Sequence, residues 1–193
     1  MPVHPGLFEK CRKGEPKGQR ELYELFKSKL MGLCRRYTRN REEAEDILQE
    51  SFIKIFTRFH QAGSPEKAEG WMKSVAVRTA IDHYHKSKKE KKLYETNDPS
   101  NINIESVSID QASDEYLVTL INRLPPKSRM VFNLFEIEGY SHTEIAAMMD
   151  ITESTSRSQL HYAKTLLKEK LRDIDPCLPA GRRPNYYERL ARG

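Results

Sequence analysis

The strongest constraint on the fold is a break in charge. From Leu93 to Asn122 the chain contains no Lys or Arg, while Glu95, Asp98, Glu105, Asp110, Asp114 and Glu115 are acidic, and Asn, Ser and Pro dominate the first half of the stretch. On either side apolar residues recur at the three- and four-residue spacing of amphipathic helices, and no alternating stretch reads as a strand. This predicts an all-α chain of two small helical domains, an N-terminal bundle and a C-terminal helical unit, joined by a flexible acidic linker. The expected boundaries are an N-terminal tail at 1–19, a first domain at 20–92, the linker at 93–113, a second domain at 114–172 and a C-terminal tail at 173–193. Immediately before the linker Lys86, Lys88, Lys89, Lys91 and Lys92 form a basic run. The formal net charge of +5 therefore understates the local fields.

A length of 193 residues suits one ordinary domain or two small ones, and with 32% charged side chains the cores must be small. Cys11, Cys34 and Cys177 are widely separated, which argues against a disulfide framework or a zinc cluster and fits a reducing cytosol. Cys34 lies within an apolar helical pattern and reads as a core thiol. The first twenty residues have no apolar run of the secretory type, and no segment is long and apolar enough to cross a bilayer. A cytoplasmic, soluble protein is expected.

Within the first block Asn40 can cap a helix, with Glu43 in capping-box spacing, and Ser64-Pro65 marks another helix start. Along 42–59 Leu48, Phe52, Ile55, Phe56 and Phe59 gather on one side as a core stripe. Asp46, Gln49, Glu50 and Ile53 gather on the other. That face is either simply solvated or, given an apolar Ile53 among outward carboxylates, the docking site of a basic and helical partner. Further on, Trp71, Met72, Val75, Ala76 and Thr79 form one stripe and Val77, Ile81 and Tyr84 a second, with Lys73, Ser74, Arg78 and His85 beside them. A helix apolar on two sides is either deeply packed or uses one side for a ligand. Aromatics interleaved with positive charge suit single-stranded nucleic acid.

In the second block Pro125-Pro126 separates a short helix, 115–124, from one starting near Lys127 and closed by Gly139. Ser141 and Glu144 stand in capping-box spacing ahead of Ile145, Ala146 and Met149. Asp150-Ile151-Thr152 reads as a tight turn with Thr152 capping the next helix. On that helix Leu160, Ala163, Leu167 and Leu171 share the core face. Ser154, Arg157, Ser158, His161 and Thr165 share the opposite one, flanked by Tyr162 and Lys164. Small hydroxyl residues at the start let such a helix enter the major groove, and an Arg one turn along can reach a base edge or phosphate. The pair therefore reads as a helix-turn-helix, the alternative being a plain bundle piece of similar pattern.

These segments together resemble the extracytoplasmic-function sigma factors of the sigma-70 family. The stretch 46–54, DILQESFIK, is similar to the family's core-binding helix, and 71–82, WMKSVAVRTAID, to its promoter-melting helix. Leu124-Pro125 through 144–148 and 151–158 resembles the C-terminal helix-turn-helix domain. The resemblance spans roughly Arg20 to Arg172. It implies that Asp46, Gln49, Glu50 and Ile53 meet the basic coiled coil of the RNA polymerase beta-prime clamp, and that Trp71, Lys73 and Arg78 engage the opened −10 element. It also implies that Ser154, Thr155, Arg157, Ser158, His161 and Tyr162 read the −35 element as duplex. The implied partners are core polymerase, promoter DNA and an anti-sigma factor, with no cofactor, and the linker is implied to run toward the RNA exit path.

The chain departs from the family where Arg78 stands for the usual Asn, Ser154 for Gly, and Gln159 and Tyr162 for basic residues. The loop 61–70 has Ala62 and Ala68 where aromatics are common. A helix-turn-helix regulator working without polymerase is the alternative, and it leaves the Asp46 face and the Trp71 helix unexplained. An enzyme is not expected. His83 and His85 are two apart and cannot share a metal from one helix face, and neither a Gly-rich phosphate loop nor a nucleophile elbow occurs.

Overall fold

A computed structural model describes residues 3–93 and 114–172, with side chains characterised over 3–89 and 118–170. The acidic linker and the C-terminal tail, with Cys177, Arg182, Arg183, Tyr186, Tyr187 and Arg189, lie outside the described residues. Among those described all regular structure is helical. The chain divides into two compact units, Met1–Lys89 and Glu90–Gly193.

The first unit contains α1 (Pro5–Arg12), α2 (Pro16–Tyr37), α3 (Arg41–Thr57) and α4 (Pro65–Leu93), with a 3-10 turn at Phe59–Ala62 before α4. The sequence expectation of a tail over 1–19 is corrected here, because α1 and the start of α2 belong to the core. Pro5 presets the first turn of α1, and the His4 imidazole accepts a hydrogen bond from the Gly6 N–H at 3.2 Å. Val3, Leu7, Phe8 and Cys11 are buried, and the Phe8 ring meets Phe59 at 5.2 Å. Close approach of α1 to α2 depends on Gly18, where a Cβ would lie 2.6 Å from the Lys10 Cβ. An eight-residue helix cannot support itself in water, so this docking is what holds α1.

α2 and α3 pack together, with Leu22, Phe26, Leu30 and Leu33 buried on the first and Ala44, Ile47, Leu48, Phe52 and Ile55 on the second. The stripe read from the sequence is buried except at Phe56, which is half-buried beside Phe52 at 5.6 Å. Cys34 is a core thiol as expected, and burial pushes it up to about 12. The two-sided apolar pattern of α4 is packed at Met72, Ala76, Val77, Ala80 and Ile81, all buried, while Trp71, Val75 and Tyr84 stay half-buried. Burying five apolar residues on one helix stabilises the unit by several kcal/mol, at about 25 cal/mol per Å² of apolar surface removed from water.

A polar tie joins α2 to α4, with Lys29 Nζ 2.7 Å from Glu69 Oε1. Partial burial pushes the Glu69 carboxyl up, but hydrogen bonds and attraction from cations, the Lys29 ammonium first and the N-terminal ammonium second, hold the group down at about 2. A carboxyl depressed in the folded state stabilises the fold fully above its ordinary range and loses that contribution as pH falls through the folded value. Glu69→Gln is therefore expected to melt below the parent chain at pH 7 and to converge with it as pH falls from about 4.5 toward 2, as read by Tm across pH.

The second unit contains α5 (Asp114–Asn122), α6 (Pro126–Phe132), α7 (His142–Met149) and α8 (Glu153–Arg172). α6 runs on into a π turn, Asn133–Ile137, which the sequence pattern did not indicate, and Gly139 ends the segment at φ +80°. The core is Leu120, Ile121, Leu124, Met130, Val131, Phe132, Leu134, Ile145, Met149, Leu160, Ala163 and Leu167. The side chain of Leu171 lies outside the described ones. Polar groups sunk in this core have partners. Arg129 donates from Nη1 to the Asn122 carbonyl at 3.1 Å, and the Ser128 hydroxyl donates to Gln159 Oε1 at 2.6 Å.

Candidate functional site

The candidate docking face starts from its cap. The Asn40 carboxamide accepts from the Glu43 N–H at 2.8 Å, and the Glu43 carboxylate reaches back to the Arg39 N–H at 3.2 Å. The reciprocal bond expected at Asn40 thus falls one residue earlier. This cap fixes the first turn of α3 and so the direction in which the whole helix presents its outer side. Asp46 and Gln49 are exposed there, and Ile53 is 66% exposed, a large apolar side chain left in water.

Glu50 differs from its neighbours. Its carboxylate lies 2.8 Å from Lys54 Nζ and 2.6 Å from His83 Nε2, and Lys54 also reaches Asp82 at 3.0 Å. The Lys54 hydrogen bond holds the Glu50 carboxyl below its ordinary range against partial burial, with His83 adding to the effect. Of the four residues singled out on this face, three point to solvent and the fourth is shared with α4. Leu25 on α2 is a second exposed apolar side chain, at 61%, which the sequence pattern did not single out.

On α4 Trp71 is half-buried and meets Phe59 edge-on at 6.1 Å, so one part of the indole is packed and another is open. Lys73 lies 3.6 Å from Glu69 and is half-exposed. Arg78 is exposed, as are Lys86, Lys88 and Lys89 toward the end of the helix. The three sequence candidates thus spread over two turns of one helix, and a run of cations follows them.

The helix-turn-helix has its expected punctuation. Ser141 and Glu144 form a reciprocal capping box at the start of α7. Asp150 takes the left-handed conformation at φ 52°, which a short polar side chain tolerates, and turns the chain into α8. The Thr152 hydroxyl accepts from the Thr155 N–H at 3.1 Å and lies within 2.9 Å of Ser154 Oγ and 2.8 Å of Thr155 Oγ1. Arg157, Ser158, His161 and Tyr162 are exposed along α8, Tyr162 at 48%. Ser154 is exposed and Thr155 half-buried at the tip. All six candidates therefore lie on the first three turns of one helix.

Two contacts from α7 to α8, Thr143–Glu153 and His142–Ser156, were not legible in the sequence. Thr143 on α7 donates to Glu153 Oε1 at 2.8 Å, and Glu153 Oε2 accepts from Arg157 Nη2 at 3.1 Å. His142 stacks on Phe135 at 4.4 Å with Nδ1 2.9 Å from the buried Ser156 hydroxyl. Burial, then the Arg157 and Lys164 cations, hold His142 below the ordinary histidine range against the pull of Glu153. The elbow therefore favours a neutral imidazole.

Among the described residues no group of three His, Cys, Asp or Glu side chains could hold a metal ion, and no helix is long and apolar enough to cross a membrane.

Comparison with known families places both helical units. Residues 22–90 match Sigma-70 region 2, and residues 114–167 match Sigma-70, region 4. The chain belongs to the sigma-70 family, in its extracytoplasmic-function (ECF) class. It is 25% identical over 179 residues to the ECF RNA polymerase sigma factor SigW of Bacillus subtilis, covering 86% of this chain and 96% of that one. It is 26% identical over 180 residues to the ECF RNA polymerase sigma-E factor of Haemophilus influenzae, covering 87% and 95%. To the ECF sigma factor SigE of Mycolicibacterium smegmatis it is 28% identical over 156 residues, covering 78% of this chain and 60% of that one. Within this sigma-70 family member the region 2 match takes in α3 and most of α4, and the region 4 match takes in α7 and the exposed side of α8. α1 precedes both.

Proposed function

We propose that this ECF sigma factor docks on RNA polymerase core through the outer face of α3 and directs the enzyme to particular promoters. Asp46, Gln49 and Ile53 would meet the basic coiled coil of the beta-prime clamp, with Glu50 contributing from its position between Lys54 and His83. Trp71, Lys73 and Arg78 would engage the opened −10 strand by stacking and phosphate contact. Ser154, Thr155, Arg157, Ser158, His161 and Tyr162 would read the −35 duplex in the major groove. Such a protein works where the chromosome and polymerase are, in the cytoplasm, and changes the specificity of another enzyme's reaction without carrying a catalytic residue of its own.

One observation carries this reading. An exposed Ile53 amid carboxylates stands on the same chain as a helix-turn-helix, in the order region 2 then region 4. A regulator acting on duplex DNA alone needs the second surface and has no use for the first. A pull-down with purified core polymerase separates the two. Retention on core, together with weak duplex binding by the free chain, is expected. Specific duplex binding without retention would favour the regulator.

A further inference from the structure

The Thr143–Glu153–Arg157 chain of contacts has a consequence for sequence discrimination. Glu153 is the first residue of α8, and Arg157 stands one turn along the same helix with a side chain 65% exposed. An exposed pair at this spacing is ordinarily loose, since both side chains lose freedom for a screened attraction. Here the second carboxylate oxygen is tied to the Thr143 hydroxyl on α7, the other helix of the motif. The Arg157 guanidinium is thereby oriented from across the turn rather than from its own helix alone. One Nη2 hydrogen is committed to Glu153, and the other donors of the planar fork stay available for bidentate contact with the O6 and N7 of a guanine. The Glu153 carboxylate also sits where α8 would approach phosphates, and its charge opposes attraction to DNA of any sequence.

We infer that Glu153 is a positioning residue that determines specificity, aiming Arg157 at a guanine in the upstream promoter element while weakening non-cognate binding. This rests on the reading of α8 as the helix that enters the −35 duplex. The inference gives Glu153→Ala two effects of opposite sign. Binding to non-cognate duplex should rise about two- to fivefold, because one repelled charge is gone. Preference for guanine at the base under Arg157 should fall about tenfold, because the fork is no longer held. Thr143→Val keeps the carboxylate and frees its far oxygen. It should lose part of the preference without the gain in general binding, and Thr143→Ser should restore it.

The test uses holoenzyme reconstituted from core polymerase and the full chain, scored on duplexes with a randomised upstream element. Opposite-sign effects for Glu153→Ala, with no further loss of preference when Glu153→Ala is added to Arg157→Ala, support the inference. An unchanged base preference in Glu153→Ala and Thr143→Val, with the preference lost in Arg157→Ala, overturns it and leaves the recognition role of α8 standing. An unchanged preference in Arg157→Ala overturns the recognition reading and the inference with it.

Discussion

A chain carrying Asp46→Lys and Ile53→Asp is expected to lose RNA polymerase core binding by about a hundredfold or more, since central apolar and charged contacts each cost about 2 kcal/mol or more when removed or opposed. Helical content and Tm should stay close to those of the parent. Both side chains are exposed, so neither substitution opens a cavity or strands a buried charge. Reversing Asp46 places a cation against the basic partner, and the Ile53 change removes the apolar centre of the face. Glu50→Lys is a poorer probe, because it also breaks the contacts with Lys54 and His83 and so costs stability within the first unit. Equilibrium titration of labelled chain with core enzyme, with circular dichroism as the folding control, checks this. Unchanged affinity in a folded double variant would remove α3 from the docking surface.

The second large effect is expected at Phe132. This ring is fully buried at the end of α6, in a core that has twelve buried apolar residues among those described. Phe→Ala in a core costs about 3–5 kcal/mol through lost transfer energy and the cavity left behind. A small unit has total stability of about 5 kcal/mol, at the low end for domains. Phe132→Ala should therefore unfold the second unit at 37 °C while the first keeps its cooperative melt. Limited proteolysis should cut within 114–172 and spare 3–89. Core binding through α3 should survive, and discrimination at the upstream element should vanish. Simultaneous collapse of both units would show that the first depends on the second.

The contrast between local and distant features explains what the sequence revealed. The caps at Asn40 and Ser141, the turn at Asp150 and the stripes of α3 and α8 each depend on residues within about one turn, so spacing alone exposed them. α1 escaped because Leu7, Phe8 and Cys11 make too short a stripe to register. Its stability comes from docking over Gly18, a contact between segments. The two-sided pattern of α4 left open whether one side faced a ligand, and only packing showed that Val77 and Ile81 are core while Trp71 stays half-open. The docking face was legible as a charge pattern, yet the engagement of Glu50 by His83 crosses 33 positions of sequence. The tie from Thr143 to Glu153 spans 10 and crosses the turn of the motif, beyond the reach of helix periodicity. Side-chain partners set by tertiary geometry are what spacing cannot supply.

Transcription reconstituted from purified core polymerase and this chain, with start sites mapped on genomic DNA, tests the sigma-factor reading most directly. Core plus chain should start RNA at a defined set of sites sharing two upstream elements, and core alone should not. The double variant at Asp46 and Ile53 should abolish those starts. Starts that are unchanged by the chain, or a chain that binds specific duplex and never core, would contradict it.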